Sequence, residues 1–225
     1  MPCAWITHRD CLLHEMGEGH PECPERLDAI SDHLLAQGGM GLLIPYDAPT
    51  ATVEQLERAH TARHVTEILA ASPREGYVHV DPDTSMNPHT VKASLRAAGA
   101  AVLATDLVLK GEVRSAFCAV RPPGHHATRD APMGFCFFNN AAVGIRHALD
   151  FHGLERVALV DIDVHHGNGS EDILAGDERV LMVSTFQQRL YPHCGEAPAG
   201  PNILSVPLAP YSRGDALRAA VARLR

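Results

Sequence analysis

The sequence predicts an α/β fold, a mostly parallel sheet flanked by helices. Three observations carry that prediction. Apolar runs of strand length recur at residues 115–120, 157–160 and 180–183, and each ends in polar residues. Between them lie longer segments whose apolar residues recur every three or four positions, the period of a helix. Gly and Pro punctuate the junctions, with no internal repeat and no low-complexity tract.

The elements follow in chain order. After Pro24, the residues Leu27, Ile30, Leu34 and Leu35 keep helical spacing until Gly38-Gly39 stops the helix. Val65, Ile68 and Leu69 mark a shorter helix. Val91, Leu95, Ala98, Val102 and Leu109 make one stripe of a long helix that Gly111 ends; its alanines and Gly99 predict close packing against the sheet. Residues 139–152 form a further helix, capped by Asn139 or Asn140 and closed by Gly153. The Pro-rich stretch 192–201 is the one long irregular loop, of the kind that lines sites. Residues 202–206 read as another strand, and 215–225 begin a last helix.

A chain of 225 residues predicts a single domain over 1–225. A formal charge of −8 argues against nucleic acid or anionic membrane as a direct partner. No signal-peptide pattern opens the chain, and no apolar run approaches the roughly 18 residues of a membrane span. The cysteines at 3, 11, 23, 118, 136 and 194 show no C-x-x-C pair, so reduced thiols in the cytoplasm are expected. Of 15 histidines, most, such as His8, His33, His79 and His152, have no partner motif and read as surface residues.

One stretch carries chemistry. The strand at 157–160 runs directly into Asp161-Ile162-Asp163-Val164-His165-His166-Gly167-Asn168-Gly169. If the backbone stays extended, Asp161, Asp163 and His165 share one face, a donor set that suits zinc. The glycines would let the chain turn sharply through positive φ. A strand ending in a solvated turn would explain an Asp-x-Asp alone, but not the adjacent His-His. The strand at 115–120 likewise ends in Arg121-Pro122-Pro123-Gly124-His125-His126-Ala127, and the strand at 180–183 in Ser184-Thr185-Phe186. Ligands of open α/β sheets bind beyond the carboxyl ends of the strands, so the convergence predicts a site.

At these residues the chain resembles the zinc-dependent histone deacetylase and acetylpolyamine amidohydrolase family. The matching pieces are Pro24-Glu25-Arg26-Leu27, Leu56-Glu57-Arg58-Ala59-His60, residues 121–127, Gly134-Phe135-Cys136-Phe137-Phe138-Asn139-Asn140 and residues 161–169. Asn168 is similar to the class II and bacterial branches. The resemblance implies an arginase/deacetylase-like fold, with Asp163 and His165 as zinc ligands. It makes His126 the general base and acid and His125 its electrostatic neighbour. Pairing His125 with the anionic Asp161 favours an imidazolium, while the neutral Asn168 leaves His126 an unprotonated base. Asp161 and Ser184 would help hold a monovalent cation of the potassium type, although an ordinary strand-end hydroxyl explains Ser184 as well. Gly134 would offer its carbonyl to the acyl-amide nitrogen. Phe135 and Tyr191 would wall a tube for an acyl-lysine or acylpolyamine stem, and Arg26 would line an acetate exit. Phe137 and Phe138 read as core.

The chain also departs from the pattern. Phe186 stands where relatives usually have His, and His193-Cys194-Gly195 where they have Gly-Thr-Gly, both at the pocket mouth. The family's third zinc ligand and its oxyanion-stabilising tyrosine fall beyond Arg225. Asp177, Asp215 and Tyr211 lack the surrounding motifs. The expectation is a C-terminally truncated domain, inactive as written, with an open sheet edge that promotes self-association. The competing reading is a non-catalytic remnant that binds acyl-lysine, a metal or a protein. A two-metal ureohydrolase is a weaker third, since it would need several ligand clusters.

Overall fold

The computed structural model describes residues 2–222. Two parallel three-stranded sheets form the frame. In the first, β1 (Cys3–Thr7) lies between β2 (Leu43–Asp47) and β5 (Ser115–Cys118). In the second, β7 (Val180–Gln187) lies between β6 (Val157–Asp161) and β8 (Ile203–Leu208). A small antiparallel hairpin, β3 (Val78–Asp81) with β4 (Thr84–Met86), is separate.

The helices are α1 (Glu25–Ala36), α2 (Val53–Glu57), α3 (Ala62–Ala70), α4 (Thr90–Leu109), α5 (Asn140–Arg146), α6 (Asn168–Leu174) and α7 (Gly214–Ala222). Thr52 starts α2 with a capping box, and Asn139 caps α5 by accepting from the Ala142 amide at 3.0 Å. The 20-residue α4 serves two cores. Ala98 and Val102 pack with Phe137, Phe138, Val143 and Leu174. Ala100 and Leu107 pack on Ala4 and Ile6 of β1.

Several expectations need correction. The expected parallel strands flanked by helices are present, and among the described residues they form two three-stranded ladders; β7 continues through Ser184 and Thr185. The helix expected over 139–152 is α only to Arg146. It ends in a π-helical turn, His147–Phe151, where the His152 amide reaches back to the His147 carbonyl. Gly99 does not pack on the sheet; a Cβ there would lie 2.0 Å from the Pro49 carbonyl oxygen. Six histidines, His14, His60, His64, His126, His147 and His166, are buried among polar partners. The end of the last expected helix, 223–225, lies outside the described residues. Val160, Leu181 and Leu204 leave one apolar face of the second sheet exposed. Among the described residues, no helix is long and apolar enough to cross a membrane.

One buried ion pair ties the segments around β5 together. Arg121, only 2 % exposed, makes a two-pronged bond to the Glu22 carboxylate through Nε (2.6 Å) and Nη2 (2.5 Å). Its Nη1 donates to the carbonyls of Cys11 and His14. Removing one partner of a buried pair strands a charge, at about 3–5 kcal/mol. Arg121→Met should therefore lower unfolding stability by that amount in urea titration. The double variant Arg121→Met/Glu22→Leu should recover much of the loss.

Candidate active site

The turn after β5 and the turn after β6 come from different sheets, yet they meet through side chains. His125 Nδ1 lies 2.8 Å from Asp161 Oδ2, and His126 Nδ1 lies 2.7 Å from Asn168 Oδ1. The Asn168 amide nitrogen points the other way, to Met133 Sδ. Oδ1 is therefore the acceptor, Nδ1 of His126 carries the proton, and Nε2 keeps a free lone pair. The two imidazoles lie tilted at 44° to each other with centroids 4.0 Å apart.

The neighbours push the two rings in opposite directions. Burial disfavours charge on His125, but the hydrogen bond and charge of Asp161 outweigh it and raise its pKa. Burial first, and then the charge of His125, lower His126 to about 4. Its bond to a neutral amide offsets little of that shift. Adjacent titratable groups driven apart are the usual basis for a division of acid and base roles.

A cavity of about 430 Å3 opens above this pair, lined by both imidazoles, Asp163, His165, Gly134, Phe135, Tyr191 and Arg26. Every expected substrate contact thus reaches one space. Tyr191 stands edge-on to His126 at 5.0 Å, and its hydroxyl is buried without a partner among the described residues. Phe135 holds a positive φ of 69° and packs edge-on against His20. Arg26 lies 3.5 Å from Glu22. Phe137 and Phe138 are core, as expected.

The ligand loop is built differently from the expected extended strand. β6 ends at Asp161, and residues 163–165 form a bend. Asp163 Oδ1 accepts from the His165 amide at 2.7 Å, and His165 Nδ1 lies 3.0 Å from the same oxygen. Asp161 accordingly turns toward His125, while Asp163 and His165 face the cavity. A carboxylate oxygen and an imidazole nitrogen this close fit two neighbouring corners of a zinc tetrahedron, where donors lie about 3.3 Å apart. The glycines do not use positive φ. A Cβ at Gly167 would lie 2.2 Å from Asp161 Oδ2, and one at Gly169 equally close to the Ala127 carbonyl oxygen. Steric room, not a special turn, requires them.

Ser184 is fully buried inside β7, with its Oγ 3.0 Å from His166 Nδ1. His166 Nε2 lies 2.8 Å from Glu171, whose other oxygen accepts from the Ala199 amide. Thr185 donates to the Asp161 carbonyl at 3.3 Å. His166 and Glu171 thus brace the ligand loop, a role the sequence reading missed; the adjacent His-His was the available signal. Asp83, from the β3–β4 turn, also lines the cavity and was missed, since a short hairpin leaves little periodic trace.

Gly134 has φ +55° and touches His126: a Cβ there would fall 2.5 Å from the ring. Gly134→Ala should displace the ring from Asn168 and cost about 1–3 kcal/mol of stability. Loss of the hydrogen-bonded His126 Nδ1–H signal in NMR spectra would report the displacement; an unchanged signal would refute it.

Comparison with known proteins gives the family. The histone deacetylase domain model matches residues 20–224. A probable deacetylase of Archaeoglobus fulgidus is 36 % identical over 216 residues, covering 91 % of this chain and 58 % of that protein. A histone deacetylase-like amidohydrolase of Pseudomonas aeruginosa is 38 % identical over 213 residues, covering 92 % and 56 %. A crystal structure of the HDA15 HD domain superposes with a TM-score of 0.86 at 34 % identity, covering 92 % of this chain and 61 % of that one. The chain therefore spans somewhat over half the length of these relatives, and over that span it belongs to the histone deacetylase domain family.

Proposed function

We propose that this chain carries the base and metal-binding half of an amidohydrolase that removes acetyl groups from lysine side chains or polyamines. The observation that carries the reading is the His126–Asn168 bond, which leaves a free lone pair on Nε2 facing a cavity walled by Phe135 and Tyr191. Asp163 and His165 are the residues that would hold zinc, which when bound lowers the pKa of water and polarises a carbonyl.

The remaining work falls to side chains. His126 Nε2 takes the proton of the attacking water and returns one to the leaving amine. Asp161 favours the charged form of His125, which would supply positive charge beside the reacting carbonyl. The ring faces of Phe135 and Tyr191 exclude water from an unbranched aliphatic stem. The Gly134 carbonyl, which accepts from the Cys136 thiol at 3.3 Å, would also accept from the acyl-amide nitrogen. Asp161 and Ser184 would contribute to a monovalent cation site, potassium being the expected ion, that steadies the ligand loop. Six free cysteines, two of them buried, suit a reducing compartment such as the cytoplasm.

In a chain extended to the length of its relatives, acetate should be released from acetyl-lysine peptides or acetylpolyamines. His126→Ala should lower that rate at least about a hundredfold. The same variant should leave unchanged the imidazole 15N shift of His165 on adding zinc, whereas Asp163→Ala should abolish it. No acetate from any such substrate, with the His165 shift intact, would favour a binding protein over an enzyme. Full activity of His126→Ala would refute the role given to that residue.

A further inference from the structure

We propose that Asp106, His147 and His152 form a second divalent-metal site, of the zinc type, on the side of the molecule opposite the candidate active site. Among the described residues this is the group in which three metal-grade donors converge, all within 4.8 Å of one another. Asp106 Oδ1 lies 2.8 Å from His147 Nε2 and 2.7 Å from His152 Nε2. The topology sets its place. Asp106 is near the end of α4, which leads to the start of β5, and His152 precedes the start of β6. The candidate active site lies beyond the other ends of both strands.

The backbone is shaped to bring the two imidazoles together. In an α-helix, residues five apart point about 140° away from each other, because each step turns about 100°. The π-helical turn His147–Phe151 narrows that angle, and both rings reach the same carboxylate oxygen. Phe151 stacks on His147 at 4.7 Å and fixes that ring, while His152 and Asp106 remain partly open to solvent for entry of an ion. One carboxylate oxygen, two imidazole nitrogens and a water make a four-coordinate zinc set.

Two cations face the cluster, and both can yield. Arg58 Nη1 donates to His147 Nδ1 at 3.0 Å, so without metal the proton of His147 sits on Nε2 and points at Asp106. Zinc would take that nitrogen, and the proton would move to Nδ1. The displaced Arg58 N–H leaves a side chain still held by Glu54 at 2.8 Å and by the Phe151 ring at 5.6 Å. Lys110 Nζ is 3.8 Å from the other Asp106 oxygen, on a half-exposed side chain free to swing away.

The test uses the 225-residue chain carrying Asp163→Ala and His165→Ala, which removes the candidate catalytic ligands. Zinc chloride titrated against a chromophoric chelator should fill one site per chain and raise the melting temperature. Adding His152→Ala, or Asp106→Asn with its shape retained, should weaken that binding at least tenfold and cancel the shift in melting temperature. In 15N spectra of the unmutated chain, zinc should move the Nε2 signals of both His147 and His152. No zinc bound in the double variant, undiminished binding after His152→Ala, or unmoved signals from the two imidazoles would each overturn the proposal. The cluster would then be a hydrogen-bonded staple between α4 and the π-turn.

Discussion

The arrangement rests on the need to neutralise one guanidinium in the interior. Arg121 is almost wholly removed from water, and a buried charge is tolerated only when it is paired and its donors are satisfied. Glu22 supplies the charge, and the Cys11 and His14 carbonyls take Nη1. Meeting that demand pins the N-terminal segment 11–22 to the residue, distant in sequence, that begins the turn bearing His125 and His126. Glu22 also forms part of the cavity wall beside Arg26, so the same pair bounds the space where chemistry is proposed. The position of the catalytic candidates is thus a by-product of electrostatic satisfaction a few residues upstream.

A second constraint acts on protons. His125 and His126 are neighbours in sequence and in space, and only their outer partners differ: a carboxylate for one, a carboxamide for the other. That substitution of NH2 for O− is enough, with burial, to send the two pKa values in opposite directions. Sequence already suggested the pairing, because Asp161 and Asn168 sit in the same motif. It could not supply the burial that drives His126 so low.

Much of the frame was legible because β5, β6 and β7 are continuous apolar runs of strand length, although one face of β5 and β6 stays exposed in this chain. The parts that escaped have physical reasons. β2 contains Pro45, which reads against a strand, yet β2 is an edge strand where a missing N–H is tolerated. The bend at 163–165 replaces the alternation of an extended strand because Asp163 accepts from the amide of His165, a local bond that competes with sheet pairing. The π-turn has no sequence signature, and so His152 looked like an ordinary surface residue. The buried histidines escaped for a related reason. His60 and His64 are satisfied by the backbone at Thr128, Asn139 and Phe137, distant in the chain and invisible to periodicity.

The candidate active site lies on a seam. Its two lips belong to separate sheets, and among the described residues β5 and β6 share no backbone ladder. The bridges across the seam include His125–Asp161, His126–Asn168 and the Ser170 amide, which donates to the His125 carbonyl. Geometry at the seam is therefore a differential quantity, sensitive to any relative slip of the halves and indifferent to motions they share. Such a site works as a vernier: a core substitution that leaves either sheet internally intact can still shift one scale against the other and spoil the alignment read between them.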